Sequence, residues 1–555
     1  MRGWTIGWLV MGTTVGCVPT TGTDPSGGSE TGSGDSADSA DTADTAIDPA
    51  TWCEANGFGA SIPWSEGPYG ADRHEIAEDF SFDQDDGTSF NFKASWTGCE
   101  NYVFIPDTAF RTVSDRESIW TKDLDDLLAG SPKNTHYLFI PNTGGATRDA
   151  NVAAIRAQID KELGKMSAED AAWWKARLHV APGGTSGLDG WLKDVLRTGI
   201  GNDGLGIDRY QTIRGLGSFA DDTRSDSANT GWPFQNNLAF AAHESRYFNM
   251  EATRQAALDA EVDPTVIQLW NGEVIAEYAD MEAELPSAEE MATFDTFEID
   301  IDMRCPDHDA QEQGNCGAWD YIAAFYVEDD SGNWIELSRF ITSYHRETHW
   351  VADATPMMAH LLQGGKRNFR WSWAPSWNTQ PTETRVSMRF SDQGKGYKPR
   401  TATLVATGGS FGATYNDGRV PVDVPISASA KKVELWAVTS GHGADTDQCS
   451  EFCNHQHEFT IDGATHLQEF TMAGTATGCI DQIEEQMVPN QSGTWWYGRG
   501  GWCPGEIVHP YAVDVTSEVG TDGTATVGYR GLYDDATPDG ARGSIVLNAW
   551  LVEYD

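Results

Sequence analysis

The stretch FEIDIDM at residues 297–303 alternates apolar and acidic side chains without interruption. A period of two places the apolar side chains on one face of a β-strand and the acidic ones on the other. The stretch VELWAV at residues 433–438 alternates in a similar way, and a further apolar run extends from Ser544 to Val552. Strands separated by short turns predict antiparallel β-sandwiches in the C-terminal half of the chain.

Two carboxylates in this half lie beside cysteines. Asp320 follows shortly after Cys316, and Glu451 lies inside the segment CSEFC at residues 449–453. A disulfide across so short a segment would hold Glu451 in a nearly constant direction, because a small ring leaves the backbone few conformations. The two acids are therefore candidate catalytic groups. The alternative is that they are solvated acids beside structural disulfides of a secreted domain.

Several motifs occur in one order along the C-terminal half: NCGAWDY at 315–321, WIELSRFITSY at 334–344, CSEFC at 449–453, NQSGTWW at 490–496 and RGGWCPG at 499–505. In content and order this half, from about Thr265 onward, resembles the bacterial peptide:N-glycosidase F family. The resemblance implies two antiparallel jelly rolls packed side by side, with the site in the cleft between them. It also implies hydrolysis of the amide that joins an N-glycan to asparagine.

The resemblance assigns roles to individual residues. It makes Asp320 the primary catalytic acid or base and Glu451 a second catalytic carboxylate. Candidate substrate-binding residues are Trp319, His442, Arg499 and Trp502. It pairs Cys305 with Cys316, Cys449 with Cys453 and Cys479 with Cys503, which leaves Cys53 for Cys99.

The chain departs from the family pattern in two places. The family carries a third cleft Glu in a Glu-x-Trp segment, whereas residues 366–377 here contain no Asp or Glu. The family's Trp after Ser-Gly is replaced by His442. With Arg367, Arg370, Trp371, Trp373 and Trp377, we expect this wall of the cleft to be basic and aromatic. We therefore expect weak or no cleavage of a standard chitobiose-linked glycopeptide, with better activity or binding on glycans modified near the core.

Composition limits the partners. The chain of 555 residues carries 37 basic and 84 acidic side chains, a net charge of −47. Such a charge repels nucleic acid and anionic membrane surfaces, so neutral or basic partners are expected. The expected substrate is an N-glycopeptide or glycoprotein, with no nucleic-acid partner.

The N-terminus has the pattern of a targeting signal. Arg2 precedes an apolar segment that ends at Cys17, as in a bacterial lipoprotein signal, and a plain secretory signal is the alternative. Lipid on Cys17 would make the chain an envelope lipoprotein, anchored in the outer membrane and exposed to the periplasm or the surface. The acidic, low-complexity residues 18–51 are expected to form an extended tether.

Residues 52–262 read as an α/β domain. The runs YVFI at 102–105 and YLFI at 137–140 suit buried strands, and helical patterns lie between and after them. The segments around 96–99 and 206–215 faintly resemble a thioredoxin-type fold, but no Cys-x-x-Cys is present, so a redox role is not expected. The predicted jelly rolls then span residues 263–396 and 397–555.

Two rival functions remain open. His455 and His457 would lie on one face of a strand, and His442 is a candidate third ligand of a metal. Copper-dependent peptidylglycine hydroxylating monooxygenases share the paired jelly-roll architecture. We expect structural histidines instead, with no metal and no cofactor. The other rival is a non-catalytic lipoprotein that binds glycans or peptides, which the missing Glu favours.

Overall fold

The computed structural model describes residues 49–108, 118–121, 124–198, 204–217, 238–443, 449–520 and 523–555. All of them belong to one compact unit that begins at Asp48. The predicted lipidation site Cys17 and nearly all of the predicted tether lie outside the described residues. Helix Pro49–Ala55 includes the last three residues of the range predicted as a tether, and its Cys53 is bonded to Cys99. No helix among the described residues has the length and apolar character needed to cross a membrane.

The first part of the fold is a mixed five-stranded sheet in the order β5-β4-β3-β6-β7. Its strands are β3 Asn101–Ile105, β4 Thr135–Phe139, β5 Leu178–Val180, β6 Leu205–Ile207 and β7 Ile213–Gly215, preceded by the hairpin β1 Ser81–Asp83 and β2 Ser89–Asn91. Strands β3, β4 and β5 run parallel to one another. Strand β6 pairs antiparallel with β3, and β7 pairs antiparallel with β6. Both predicted strands are confirmed. The thioredoxin-type resemblance stays a prediction.

Helices cover this sheet. They span Leu124–Gly130, Gly145–Leu163, Ala168–Lys175, Gly190–Val195 and Ala241–Asp259. Buried side chains of helix Ala241–Asp259 share one apolar cluster with β3 and β4 and with residues 479–503 of the C-terminal region. The α/β part of the chain therefore packs directly on the segment that carries Arg499.

The next strands form a sandwich of two four-stranded antiparallel sheets, in the orders β13-β10-β15-β8 and β12-β11-β14-β9. The strands are β8 Thr265–Ile275, β9 Tyr278–Ser287, β10 Thr296–Arg304, β11 Ile322–Glu328, β12 Trp334–Ile341, β13 Thr348–Asp353, β14 Gly364–Ser372 and β15 Thr382–Ser391, with the short helix Ala288–Met291. In β10 the apolar residues of the FEIDIDM stretch are buried and the acidic ones are only partly covered, as predicted.

A second sandwich follows, with sheets in the orders β16-β23-β18-β21 and β17-β22-β19-β20. Its strands are β16 Pro399–Ser410, β17 Val422–Pro425, β18 Lys432–His442, β19 His455–Ile461, β20 Ala464–Glu469, β21 Tyr511–Asp514, β22 Thr524–Tyr533 and β23 Ser544–Tyr554, with the short helix Cys449–Phe452. The expected pair of antiparallel jelly rolls is confirmed.

Strand β18 shows how the two sandwiches join. Val433, Leu435 and Ala437 pack in the core of the second sandwich, whereas Trp436 and Val438 pack in the core of the first. Both faces of this strand are therefore buried, which its partial alternation did not indicate. The two jelly rolls lie side by side with one continuous apolar contact.

Four disulfides complete the fold. They join Cys53 to Cys99, Cys305 to Cys316, Cys449 to Cys453 and Cys479 to Cys503. These are the predicted pairs. Two of them lie close to the candidate catalytic carboxylates.

Candidate functional site

Asp320 lies on the loop between β10 and β11. The loop is held against the end of β12, because Thr342 Oγ1 accepts a hydrogen bond from Tyr321 N at 2.8 Å and donates one to Trp319 O at 2.6 Å. The Asp320 side chain is 19% exposed, and its Oδ2 accepts a short hydrogen bond from the Tyr344 hydroxyl. The first jelly roll thus presents one nearly buried carboxylate together with a phenol.

Glu451 lies in the short helix Cys449–Phe452 of the second jelly roll. The Cys449–Cys453 disulfide closes this segment, and Gly500 N donates to Glu451 O at 2.7 Å. The Glu451 side chain is 17% exposed. Both its backbone and its direction are therefore constrained, in agreement with the argument from the small ring.

Arg499 joins the two carboxylates. Its Nε lies 3.2 Å from Glu451 Oε1, and its Nη2 lies 3.7 Å from Asp320 Oδ2. The remaining guanidinium hydrogens are donated to Thr494 O, Thr494 Oγ1 and Tyr497 O at 2.8–3.1 Å. The side chain is 1% exposed. Arg499 therefore links the two acids from a nearly fully buried position, and its expected substrate-binding role stays a prediction.

Burial raises the pKa values of Asp320, Glu451 and Tyr344. Burial raises the pKa of Asp320, while Arg499 and the Tyr344 hydroxyl oppose the rise. Burial also raises the pKa of Glu451; Arg499 lowers it and the nearby Asp320 raises it further. Burial and the negative charge of Asp320 raise the pKa of Tyr344, which stays a neutral donor. Two carboxyls with raised pKa values around one cation are suited to proton transfer.

The other predicted binding residues differ in exposure. Trp319 is 52% exposed beside Asp320 and is free to stack on a ligand. Trp502 is 2% exposed, donates Nε1–H to Gly441 O at 2.7 Å and lies under the Arg499 guanidinium. His442 is half-buried and stacked on Trp502, and burial lowers its pKa to about 3. The covered ring of Trp502 therefore supports Arg499, and its predicted substrate-binding role stays a prediction.

The prediction that residues 366–377 form an exposed basic and aromatic wall is wrong for Trp371 and Trp373. Trp371 and Trp373 are fully buried in the core of the first sandwich, because they lie on its inward face. Arg370 pairs with Asp280, and Arg367 donates to Glu328 O at 3.0 Å. Trp377 alone among the three tryptophans is exposed, at 78%. Three positions, Trp371, Trp373 and Pro375, are candidate equivalents of the family's missing Glu. A Glu introduced at Trp371 or Trp373 would enter the core and destabilise it, whereas Pro375 is partly exposed and could carry the acid.

His455 and His457, two of the candidate copper ligands, are hydrogen-bonded to each other. His455 Nδ1 and His457 Nε2 are 2.7 Å apart, and His457 Nδ1 lies 2.8 Å from the Tyr529 hydroxyl. Both rings are fully buried, and burial lowers their pKa values, that of His455 to about 4. Three of the four ring nitrogens, all except His455 Nε2, are therefore engaged in hydrogen bonds and not free to bind a metal. In the described ranges, one group of three candidate ligands has suitable spacing, Cys305, Cys316 and Glu347, and its cysteines are in a disulfide.

Sequence reasoning did not assign a role to two residues of the site. Tyr344 closes the motif WIELSRFITSY, but its hydroxyl reaches Asp320 only because the loop after β12 folds back on the loop before β11. Thr494 lies within the motif NQSGTWW and binds the Arg499 guanidinium through both its carbonyl and its hydroxyl. The one indication in the sequence was that both residues lie inside motifs shared with the resembled family.

Comparisons with known proteins match the C-terminal half of the chain. The family described as "Peptide-N-glycosidase F, C terminal" matches residues 410–553. Peptide-N(4)-(N-acetyl-beta-D-glucosaminyl)asparagine amidase F of Elizabethkingia miricola is 26% identical over 274 residues, which cover 46% of this chain and 72% of the relative.

Two solved structures are also similar. A crystal structure of peptide-N(4)-(N-acetyl-beta-D-glucosaminyl)asparagine amidase has a TM-score of 0.42 at 20% identity, over 53% of this chain and 96% of the other. PNGase F from Flavobacterium meningosepticum has a TM-score of 0.40 at 20% identity over the same shares. On the sequence matches, the C-terminal half of this chain is similar to peptide-N-glycosidase F.

Proposed function

We propose that this chain is a hydrolase that removes N-glycans from glycopeptides or glycoproteins by cleaving the amide between asparagine and the first N-acetylglucosamine. The observation that carries the proposal is the cluster in which buried Arg499 binds Glu451 and approaches Asp320, the two acids coming from different jelly rolls. The relatedness to an asparagine amidase supports the substrate class.

The chemistry needs an activated water. Asp320 accepts a proton from water as the water oxygen attacks the side-chain carbonyl carbon of the glycosylated asparagine. Glu451 positions that water or the sugar. When the carbon–nitrogen bond breaks, the proton passes to the leaving nitrogen, so the products are a glycosylamine and an aspartate. Arg499 holds both carboxylates in place, so little reorganisation is needed at the moment of reaction.

The deciding experiment is a mass assay on a denatured N-glycopeptide. We expect release of the glycan and conversion of the asparagine to aspartate, a gain of about one mass unit, or about three when the reaction is run in water labelled with heavy oxygen. Binding of the glycopeptide without any conversion would instead support a glycan-binding protein, the alternative favoured by the absence of an acid in residues 366–377.

Reductant is expected to abolish activity, whereas a chelator leaves it intact. Opening the Cys449–Cys453 ring frees Glu451, and misplacement of a catalytic group by about 1 Å can cost about 100-fold in rate. Cleavage is measured after treatment with dithiothreitol or EDTA, with thermal unfolding followed in parallel. The double variant Cys449→Ser, Cys453→Ser tests this ring alone. Loss of activity in EDTA with recovery on added copper would contradict the proposal.

We also propose that the protein acts in the bacterial envelope as an outer-membrane lipoprotein, exposed to the periplasm or the surface, with its only membrane attachment through lipid on Cys17. The signal-like N-terminus and the four disulfides support an oxidising compartment. Cys17→Ala is expected to abolish incorporation of a labelled fatty acid and to release the protein from the membrane fraction. Unchanged labelling would exclude Cys17 as the anchor.

A further inference from the structure

The loop that presents Tyr344 rests on the α/β part of the chain. Arg346, two residues after Tyr344, is 8% exposed. Its Nη1 lies 3.0 Å from Glu244 Oε1 and donates to Pro489 O at 2.7 Å, its Nη2 donates to Gly215 O at 3.4 Å, and its Nε pairs with Glu312. The same loop is held further along, where Arg73 and His74 of the α/β part bind Glu347.

Glu244 connects two segments of the site. It is fully buried on helix Ala241–Asp259 and accepts hydrogen bonds from Arg346 and, at 2.8 Å, from Asn490 Nδ2. The next residue, Gln491, accepts a hydrogen bond from Tyr344 N at 2.8 Å through its Oε1. The Glu244 carboxylate therefore contacts two loops. One is the loop of Tyr344, through Arg346, and the other is the loop that leads to Thr494 and Arg499, through Asn490.

We infer that Glu244 is a positioning residue for Tyr344, which it holds against Asp320 through Arg346 and Asn490. This inference rests on the proposed function. It gives the α/β part of the chain a role in catalysis without any contact with the substrate. Without the Glu244 carboxylate, Glu312 is the remaining ion-pair partner given for Arg346, so the buried guanidinium is expected to shift toward Glu312. The loop would then move, and the hydrogen bond from Tyr344 to Asp320 would lengthen.

Glu484→Gln provides a matched control. Glu484 pairs with Arg246 of the same helix at 2.6 Å, but this pair is half-exposed and has no link to Tyr344. Burial and the nearby Glu312 raise the pKa of Glu244 to about 7, against the effect of Arg346 and Asn490. Its ionised form therefore predominates above neutral pH, so kinetics are measured at about pH 8.5.

Glu244→Gln is expected to lower kcat about 10-fold with KM changed by less than about twofold, whereas Glu484→Gln changes neither. The same substitution in a Tyr344→Phe background is expected to have less than about a twofold further effect, because the hydroxyl that it positions is already gone. An equal 10-fold loss in both backgrounds would overturn the inference, since it would indicate a general effect on folding.

A second measurement does not depend on activity. Hydrogen exchange of the full-length protein, read by mass spectrometry, is expected to speed up in peptides covering residues 341–347 for Glu244→Gln and to stay unchanged for Glu484→Gln. If Glu244→Gln fails to fold, Asn490→Gly tolerates the positive φ of 52° at this position, removes the neutral donor to Glu244 and to Phe240 O, and is expected to give the same pattern. Unchanged exchange in this loop overturns the inference. Faster exchange in a protein without amidase activity would refute the proposed function alone.

Discussion

Asp320→Asn is expected to lower kcat about 100-fold or more, because the substitution keeps the shape of the side chain and removes the base. Tyr344 still has an acceptor in the amide oxygen, so the fold should tolerate the change. The measurement is the rate of glycan release from a denatured glycopeptide under saturating substrate, together with thermal unfolding.

Asp330→Asn is the control for this substitution. Asp330 is 99% exposed in the turn between β11 and β12 and lies outside the site, so its variant should retain full activity. An Asp320→Asn protein that folds and turns over within about twofold of the parent would remove Asp320 from the mechanism, since loss of a general base costs far more than that.

Arg499→Met is expected to be the second most damaging change, again by about 100-fold at neutral pH. Arg499 opposes the rise that burial causes in the pKa of both Asp320 and Glu451. Without it both pKa values rise further, so a smaller fraction of Asp320 is deprotonated at a given pH. Activity that depends on the deprotonated base should therefore reappear in part as the pH increases.

The pH profile separates this effect from simple loss of structure. The acid limb of the profile is expected to move to higher pH in Arg499→Met, whereas an unfolded protein stays inactive at every pH. Arg499→Lys is the matched variant: it keeps the charge but cannot bind Glu451, Thr494 and Tyr497 at once, so the limb should move less while kcat stays low. An unshifted acid limb in Arg499→Met would contradict the electrostatic role.

Local patterns accounted for much of the fold and of the site. The alternation in FEIDIDM identified strand β10 and its buried face, and the runs YVFI and YLFI identified the two central parallel strands. The motif resemblance supplied Asp320, Glu451 and Arg499, which the structure brings together. These features can be predicted from sequence because the alternation of side chains along a strand and the closure of a small disulfide loop each involve only a few neighbouring residues.

The errors came from features that depend on packing. Trp371 and Trp373 read as an exposed aromatic wall, yet they fill the sandwich core, because the face to which a strand residue points depends on register and not on residue type. The burial of Arg499 between the two acids also depends on packing and was not indicated by its sequence position. Composition alone does not distinguish a covered side chain from an exposed one when both are tryptophan or arginine.

The sequence by itself determined the strand pattern, the two acids beside cysteines and the resemblance that orders them. Only the tertiary structure decided that Tyr344 donates to Asp320 and that Glu244, about 100 residues earlier in the chain, supports the Tyr344 loop through Arg346. The physical reason is that these contacts join loops from different sheets and a helix of the α/β part. Their geometry follows from how whole layers pack, which no short stretch of residues encodes.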